Sequence, residues 1–136
     1  METSRLEPAL LRDMHQDELR AYAELSGDSN LIHLNRAQAT LAGHPDVICH
    51  GMLSMTDIGS WLTRAMAGWQ LEAFSCRFVA PMSVGTRLSI AEVCPEEDEM
   101  NSCEITINFS AKDNKSGDVK VIGRAYFRWP GASSSR

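Results

Sequence analysis

The sequence predicts a single α+β domain, an antiparallel β-sheet wrapped around a long central helix. Two features carry that class. The hydrophobic period changes from helical to alternating after Gly68, so helices fill the first half of the chain and strands the second. The longest helical pattern, from His50-Gly51 to Ala67-Gly68, is apolar over most of its surface and needs a cover. The strands each have one apolar face that needs covering too, and packing the two together meets both needs. At 136 residues the chain suits one domain, expected over residues 1–130 with a disordered tail at 131–136.

The elements follow in order. From Gln16 to Leu25, the residues Leu19, Tyr22 and Leu25 recur at helical spacing, and Ser26-Gly27 ends the helix. A loop runs from Asp28 to Leu34. Asn35 caps a short helix that stops near Gly43, and His44-Pro45-Asp46 forms a turn. The long helix places Met52, Met55, Ile58, Leu62, Ala65 and Met66 on its apolar face, opposite Asp57, Thr63 and Arg64. Beyond Gly68, Phe74, Cys76 and Phe78 alternate with Ser75 and Arg77. Pro81 to Gly85 turns the chain, and Leu88 and Ile90 resume the alternation. The acidic run Pro95 to Glu99 reads as a solvated loop. Ile105, Ile107, Phe109 and Ala111 alternate with Glu104, Thr106, Asn108 and Ser110, which is a strand with one buried face. Asn114 to Gly117 turns into a last strand with Val119, Val121, Ala125, Phe127 and Trp129 on one side.

Composition narrows the function. A formal net charge of −5, with Lys and Arg scattered singly, excludes a nucleic-acid binder, which needs clustered cations for phosphates. An apolar fraction of 43% excludes a disordered chain. Cys49, Cys76, Cys94 and Cys103 form no Cys-x-x-Cys pair, so they read as free thiols of a reducing compartment. Glu2, Glu7 and Asp13 leave no apolar run for a signal peptide, and no stretch approaches the ~18 apolar residues of a membrane span. The expectation is a cytoplasmic protein without membrane contact.

Two segments carry candidate chemistry. Asp28 and His33 lie five residues apart in the loop Ser26-Gly27-Asp28-Ser29-Asn30-Leu31-Ile32-His33. A carboxylate and an imidazole brought together there could hold one water and move its protons, as hydration of an alkene or its reverse requires. On these eight residues alone a local role stays open, because Asp in such loops bonds nearby backbone N–H groups. The second segment is Cys49-His50-Gly51-Met52. The first turn of a helix presents unpaired N–H groups and the positive end of the dipole, and glycine lets a ligand approach the backbone. Gly51 could thus polarise a thioester carbonyl and stabilise an enolate-like intermediate, or could simply start a buried helix. His44, Asp46 and His50 match no familiar metal spacing, no Gly-rich phosphate loop follows a strand, and no metal is expected.

Taken together, these residues resemble the MaoC-like group of hot-dog-fold proteins, which includes (R)-specific enoyl-CoA hydratases and 3-hydroxyacyl-thioester dehydratases. The family loop Ser-Gly-Asp-x-Asn-Pro-x-His is matched by Ser26, Gly27, Asp28, Asn30 and His33. Its second landmark, His-Gly-Met-Leu at the head of the central helix, is matched by His50, Gly51, Met52 and Leu53. A looser third one is matched by Arg77, Phe78, Pro81 and Gly85. The likeness spans Leu19 to Trp129.

The resemblance implies that Asp28 and His33 hold the catalytic water, leaving open which is the base, and that the Gly51 N–H faces the thioester carbonyl. It implies that Asn30 shapes the loop and contacts water or the thioester arm, and that Met55, Gly59 and Leu62 line an acyl pocket. Gly59 costs about 1 kcal/mol relative to Ala inside a helix, so its missing side chain makes room for packing or for substrate. The implied substrate is an enoyl or 3-hydroxyacyl thioester of coenzyme A or an acyl carrier protein, with no cofactor. A homodimer is the default, and a heterodimer with a related chain is possible. Two other classes remain, a hot-dog thioesterase and a non-catalytic acyl-binding subunit of a heterodimeric dehydratase. The sequence departs from the pattern at Leu31, where the family has proline, which loosens the loop by about 0.4–1 kcal/mol. Asn35 replaces a common aspartate and caps equally well. A short N-terminus implies an edge strand that is trimmed or missing.

Overall fold

A computed structural model describes residues 6–93 and 103–131. The elements are β1 (Ala9–Leu10), α1 (Gln16–Ser26), a 3-10 turn (Leu31–His33), α2 (Arg36–Leu41), α3 (Gly51–Ala65), β2 (Gln70–Phe78), β3 (Leu88–Val93), β4 (Glu104–Asp113) and β5 (Val119–Arg128). Cys94, the acidic run Pro95–Glu99 and residues 132–136 lie outside the described residues.

The strands form one antiparallel sheet in the order β1-β3-β4-β5-β2. Central β4 has the expected pattern, with Ile105, Ile107, Phe109 and Ala111 all buried. Val121, Ala125 and Phe127 of β5 and Leu88 and Ile90 of β3 extend the same apolar face. Helix α3 packs on it, with Trp61 edge-on to Phe109 at a centroid distance of 6.2 Å. A two-residue N-terminal edge strand is present, in which Ala9 and Leu10 pair with Ile90 and Ser89 of β3. The Glu92 carboxylate anchors the preceding segment by accepting the Leu6 N–H at 3.1 Å.

Several expected faces shift. The buried stripe of α3 is Leu53, Ser54, Ile58, Trp61 and Leu62, followed by Met66, whereas Met52 and Ala65 are exposed. This helix is apolar on more than one side, and the large rigid Trp61 settles which side meets the sheet. In α1, Leu19 and Ala23 are buried but Leu25 is exposed. Leu25 follows Leu19 by six residues, which turns it about 240° around a 3.6-residue helix. Val119 and Trp129 lie at the ends of the β5 face and are partly exposed, with Trp129 edge-on to Trp69 at 5.3 Å. On β2, Phe74 and Cys76 are half-buried and Phe78 is exposed, since this strand is an edge with one covered flank.

Local capping matches the sequence. Gly27, at φ 80°, closes α1 with its N–H donating to the Ala23 carbonyl at 3.0 Å. The Asn35 side chain accepts the Gln38 N–H at 3.0 Å, as a helix cap does. Asn35→Ala should therefore lower unfolding free energy by about 1 kcal/mol. Urea denaturation checks this, and an unchanged midpoint would mean that the cap is replaced by solvent at no cost.

Candidate active site

The loop after α1 is built from short-range bonds. Asp28 N–H donates to Ser26 Oγ at 3.1 Å, and Asn30 N–H donates to Asp28 Oδ1 at 3.4 Å. Asn30 Oδ1 in turn accepts the Ile32 N–H at 3.2 Å, which starts the 3-10 turn that delivers His33. Asn30 thus shapes the loop, and Leu31 at the proline position stands half exposed.

That turn folds the His33 ring inward, leaving it 8% exposed, while the Asp28 carboxylate stays at the surface. His33 Nδ1 lies 2.8 Å from the Ile48 carbonyl, which can only accept. In the neutral ring this bond assigns the proton to Nδ1 and leaves the lone pair on Nε2. Nε2 faces Asp28 Oδ2 at 3.7 Å. The separation is too long for a direct hydrogen bond but short enough for one water to contact both atoms.

A third group closes the site from behind. His50, the N-cap of α3, is 1% exposed and stacks on His33 with centroids 3.9 Å apart and planes 24° apart. Tyr22 of α1 meets its ring edge-on at 4.9 Å. His50 Nε2 lies 3.1 Å from the Asp28 backbone carbonyl, so it carries the proton there. Burial lowers the His50 pKa below its ordinary 6.5, which the bond to Asp28 opposes and the neighbouring His33 reinforces. The unfolded chain then binds this proton more readily, so the stability of neutral His50 is present above about pH 6.5 and lost as pH falls through the folded value. Thermal melts between about pH 7.5 and 5.5 should show a falling midpoint that is shallower in His50→Phe. Parallel slopes in the two proteins would remove His50 from the linkage.

His33 opens onto a cleft of about 380 Å³ that is also lined by Ile48, Cys49, Gly51, Phe78 and Met82, among others. Gly51 begins α3 at its edge, and a Cβ there would lie 3.0 Å from the Phe78 ring. Glycine therefore lets Phe78 lie against the helix start, where the first-turn N–H groups have no partner within the helix. Burial raises the Cys49 thiol to about 11, so it is protonated at neutral pH and no nucleophile.

Residues 3–115 match the family model described as a MaoC like domain. The chain belongs to the MaoC-like dehydratase family. It is 32% identical over 108 residues to the fatty acid synthase beta subunit TOXC of Cochliobolus carbonum, covering 77% of this chain. The match spans about 5% of that much longer relative. Among solved structures, it resembles the (R)-hydratase from A. caviae involved in PHA biosynthesis, at 24% identity and a TM-score of 0.77, over 96% of this chain and 98% of that one. R-hydratase PhaJ1 from Pseudomonas aeruginosa matches at 22% identity and a TM-score of 0.77, over 97% of this chain and 84% of the other. These neighbours give the MaoC-like chain the hot-dog fold, and the sheet packed on α3 is that fold.

Within this MaoC-like domain the expected site residues divide. Asp28, Asn30, His33 and Gly51 converge on one region. Met55, Gly59 and Leu62 lie farther along α3 and are not among the walls of the cleft. Met55 is half-buried, Leu62 is fully buried in the core, and a Cβ on Gly59 would lie 3.3 Å from Phe74, so packing occupies that space. Sequence reasoning gave His50 no role beyond its motif. Its bond to Asp28 joins residues 22 apart, which no local pattern reveals. An Asp28 oxygen and one nitrogen from each of His33 and His50 also lie within 4.8 Å of one another. A metal sits in the plane of each imidazole ligand about 2.0–2.1 Å from nitrogen, which two stacked rings cannot satisfy together without one turning. No stretch among the described residues is a helix long and apolar enough to cross a membrane.

Proposed function

We propose that the chain hydrates trans-2-enoyl thioesters, or dehydrates 3-hydroxyacyl thioesters, with Asp28 and His33 as its acid–base pair. The observation that carries this reading is the His33 Nε2 lone pair facing Asp28 Oδ2 at 3.7 Å beside the cleft at the head of α3. A water between the two directs its hydrogens at them and its oxygen at the β-carbon. As the oxygen bonds to that carbon, one member of the pair takes a water proton, and a proton is returned to the α-carbon. The sum is enoyl thioester plus water giving 3-hydroxyacyl thioester, with no change in redox state. The Gly51 N–H receives the charge that develops on the thioester oxygen, aided by the helix dipole.

The carrier on the thioester is coenzyme A or an acyl carrier protein. We place the protein in the cytoplasm as a homodimer, with a related chain as the alternative partner. Edge strand β2 supports pairing with a second chain, because it has an unpaired flank among the described residues and carries exposed Phe78. The test is loss of enoyl absorbance when the protein meets crotonyl-CoA, longer trans-2-enoyl-CoAs and the same acyl groups on a carrier protein. Turnover on any of these supports the reading. Thiol release without loss of the enoyl group would assign a thioesterase, and a folded dimer inert to all of them would assign a non-catalytic subunit.

A further inference from the structure

We propose that His50 is a positioning residue, which pins the backbone of Asp28 and braces the ring of His33 for hydration. The inference rests on the acid–base reading of that pair.

Its ground is an imbalance in how His50 is used. The residue is 1% exposed, and Nδ1 is a buried acceptor with no hydrogen-bond partner among the described residues. A buried polar atom left unpaired destabilises the fold. A phenyl ring would fill nearly the same space, stack on His33 and meet Tyr22 without that penalty. What phenylalanine lacks is the Nε2–H that reaches the Asp28 carbonyl at 3.1 Å.

That bond matters because the remaining bonds of Asp28 itself are local. The main-chain tie of its loop to the rest of the fold, Ile48 N–H donating to the Ile32 carbonyl at 3.0 Å, lies four residues further on. Among the described residues Asp28 N–H and Oδ1 engage only Ser26 and Asn30, each two residues away, and the carboxylate is at the surface. Without the His50 bond the Asp28 end of this Asx-type loop can rotate about the Ile32–Ile48 anchor and carry Oδ2 away from His33. His50 ties it instead to the head of α3, the same point from which Gly51 faces the cleft. One residue therefore references Asp28 through its carbonyl, His33 through its ring face and the thioester-binding end through its own backbone. The bond to Ile48 fixes one direction of the His33 ring, and the stack fixes its tilt. Small displacements at reacting groups are costly to rate, so a position held at a cost in stability is explained by function.

The test compares His50→Phe, which keeps the stack and removes the donor, with His50→Gln, which restores an N–H at a similar reach. Asp28→Asn is run beside them. We expect His50→Phe to melt no lower than the native protein, yet to lose about tenfold to a hundredfold in kcat with KM little changed. Hydrogen exchange in the segment from Ser26 to His33 should quicken by about tenfold, the factor that one typical hydrogen bond carries. His50→Gln should recover kcat and loop protection to within about threefold of native. Native kcat and protection in His50→Phe would overturn the proposal. So would a lowered melting point in His50→Phe with no recovery in His50→Gln, which marks a packing residue. If Asp28→Asn keeps full activity, the acid–base reading fails instead. Exchange and melting then still decide whether His50 holds the loop, and unchanged exchange ends the proposal.

Discussion

Asp28→Asn is expected to lower kcat for enoyl-thioester hydration by about 10²–10⁴-fold, the usual worth of one acid–base group, while the protein stays folded. The substitution changes charge and basicity with almost no change in shape. Asp28 is half exposed at its side chain, so no packing is lost. An asparagine Oδ1 still accepts the Asn30 N–H, and the main-chain bonds to Ser26 and His50 do not involve the side chain. His33→Ala should match this loss in rate, but it also empties a buried site and removes the stacking partner of His50, so its stability falls as well. Asp28→Asn is therefore the cleaner test, read as enoyl absorbance against time beside a thermal melt. A native rate in Asp28→Asn would reduce the aspartate to a local loop-former and leave His33 without its partner.

Gly123→Ala gives the largest stability loss of any single methyl addition we foresee. Gly123 of β5 lies between Phe109 of β4 and Cys76 of β2 in register. A Cβ there would overlap the Phe109 ring at Cζ and lie 2.6 Å from the Ser75 carbonyl oxygen. Neither neighbour can yield cheaply. Phe109 is 1% exposed and wedged edge-on against Trp61 of α3, and the Ser75 oxygen is backbone in a paired strand. Overpacking of this kind costs about 1–3 kcal/mol and more where backbone must move, so about 3 kcal/mol is expected in urea denaturation. Phe109→Leu in the same chain should restore part of that loss, giving a positive coupling between the two sites. A loss below about 0.5 kcal/mol, the level of an ordinary surface change, would refute this packing of β4 on β5.

The chain announces its fold through periods. Strict alternation from Ile105 to Ala111 can describe only a strand with one buried face, and β4 is that strand. Helix ends were equally legible, because a left-handed glycine at 27 and an asparagine cap at 35 act through bonds to residues three or four positions away. The phase of α3 was not legible. Its apolar residues fit more than one stripe, and only contact with Phe109 selects the one containing Trp61. Exposure at strand ends was hidden for a similar reason, since Val119, Phe78 and Trp129 are apolar by identity and uncovered by position.

The site divides along the same line. Residue type and spacing alone determined that Asp28, Asn30 and His33 share one loop and that Gly51 opens the apolar helix, because those relations are short in sequence. Tertiary structure decided the rest. Folding the 3-10 turn against Ile48 sets the His33 tautomer, laying Phe78 against Gly51 shapes the cleft, and seating His50 behind the pair ties Asp28 to α3. Each of these depends on contacts between residues 15 or more positions apart, whose approach is set by how the sheet packs on the helix rather than by any pattern along the chain.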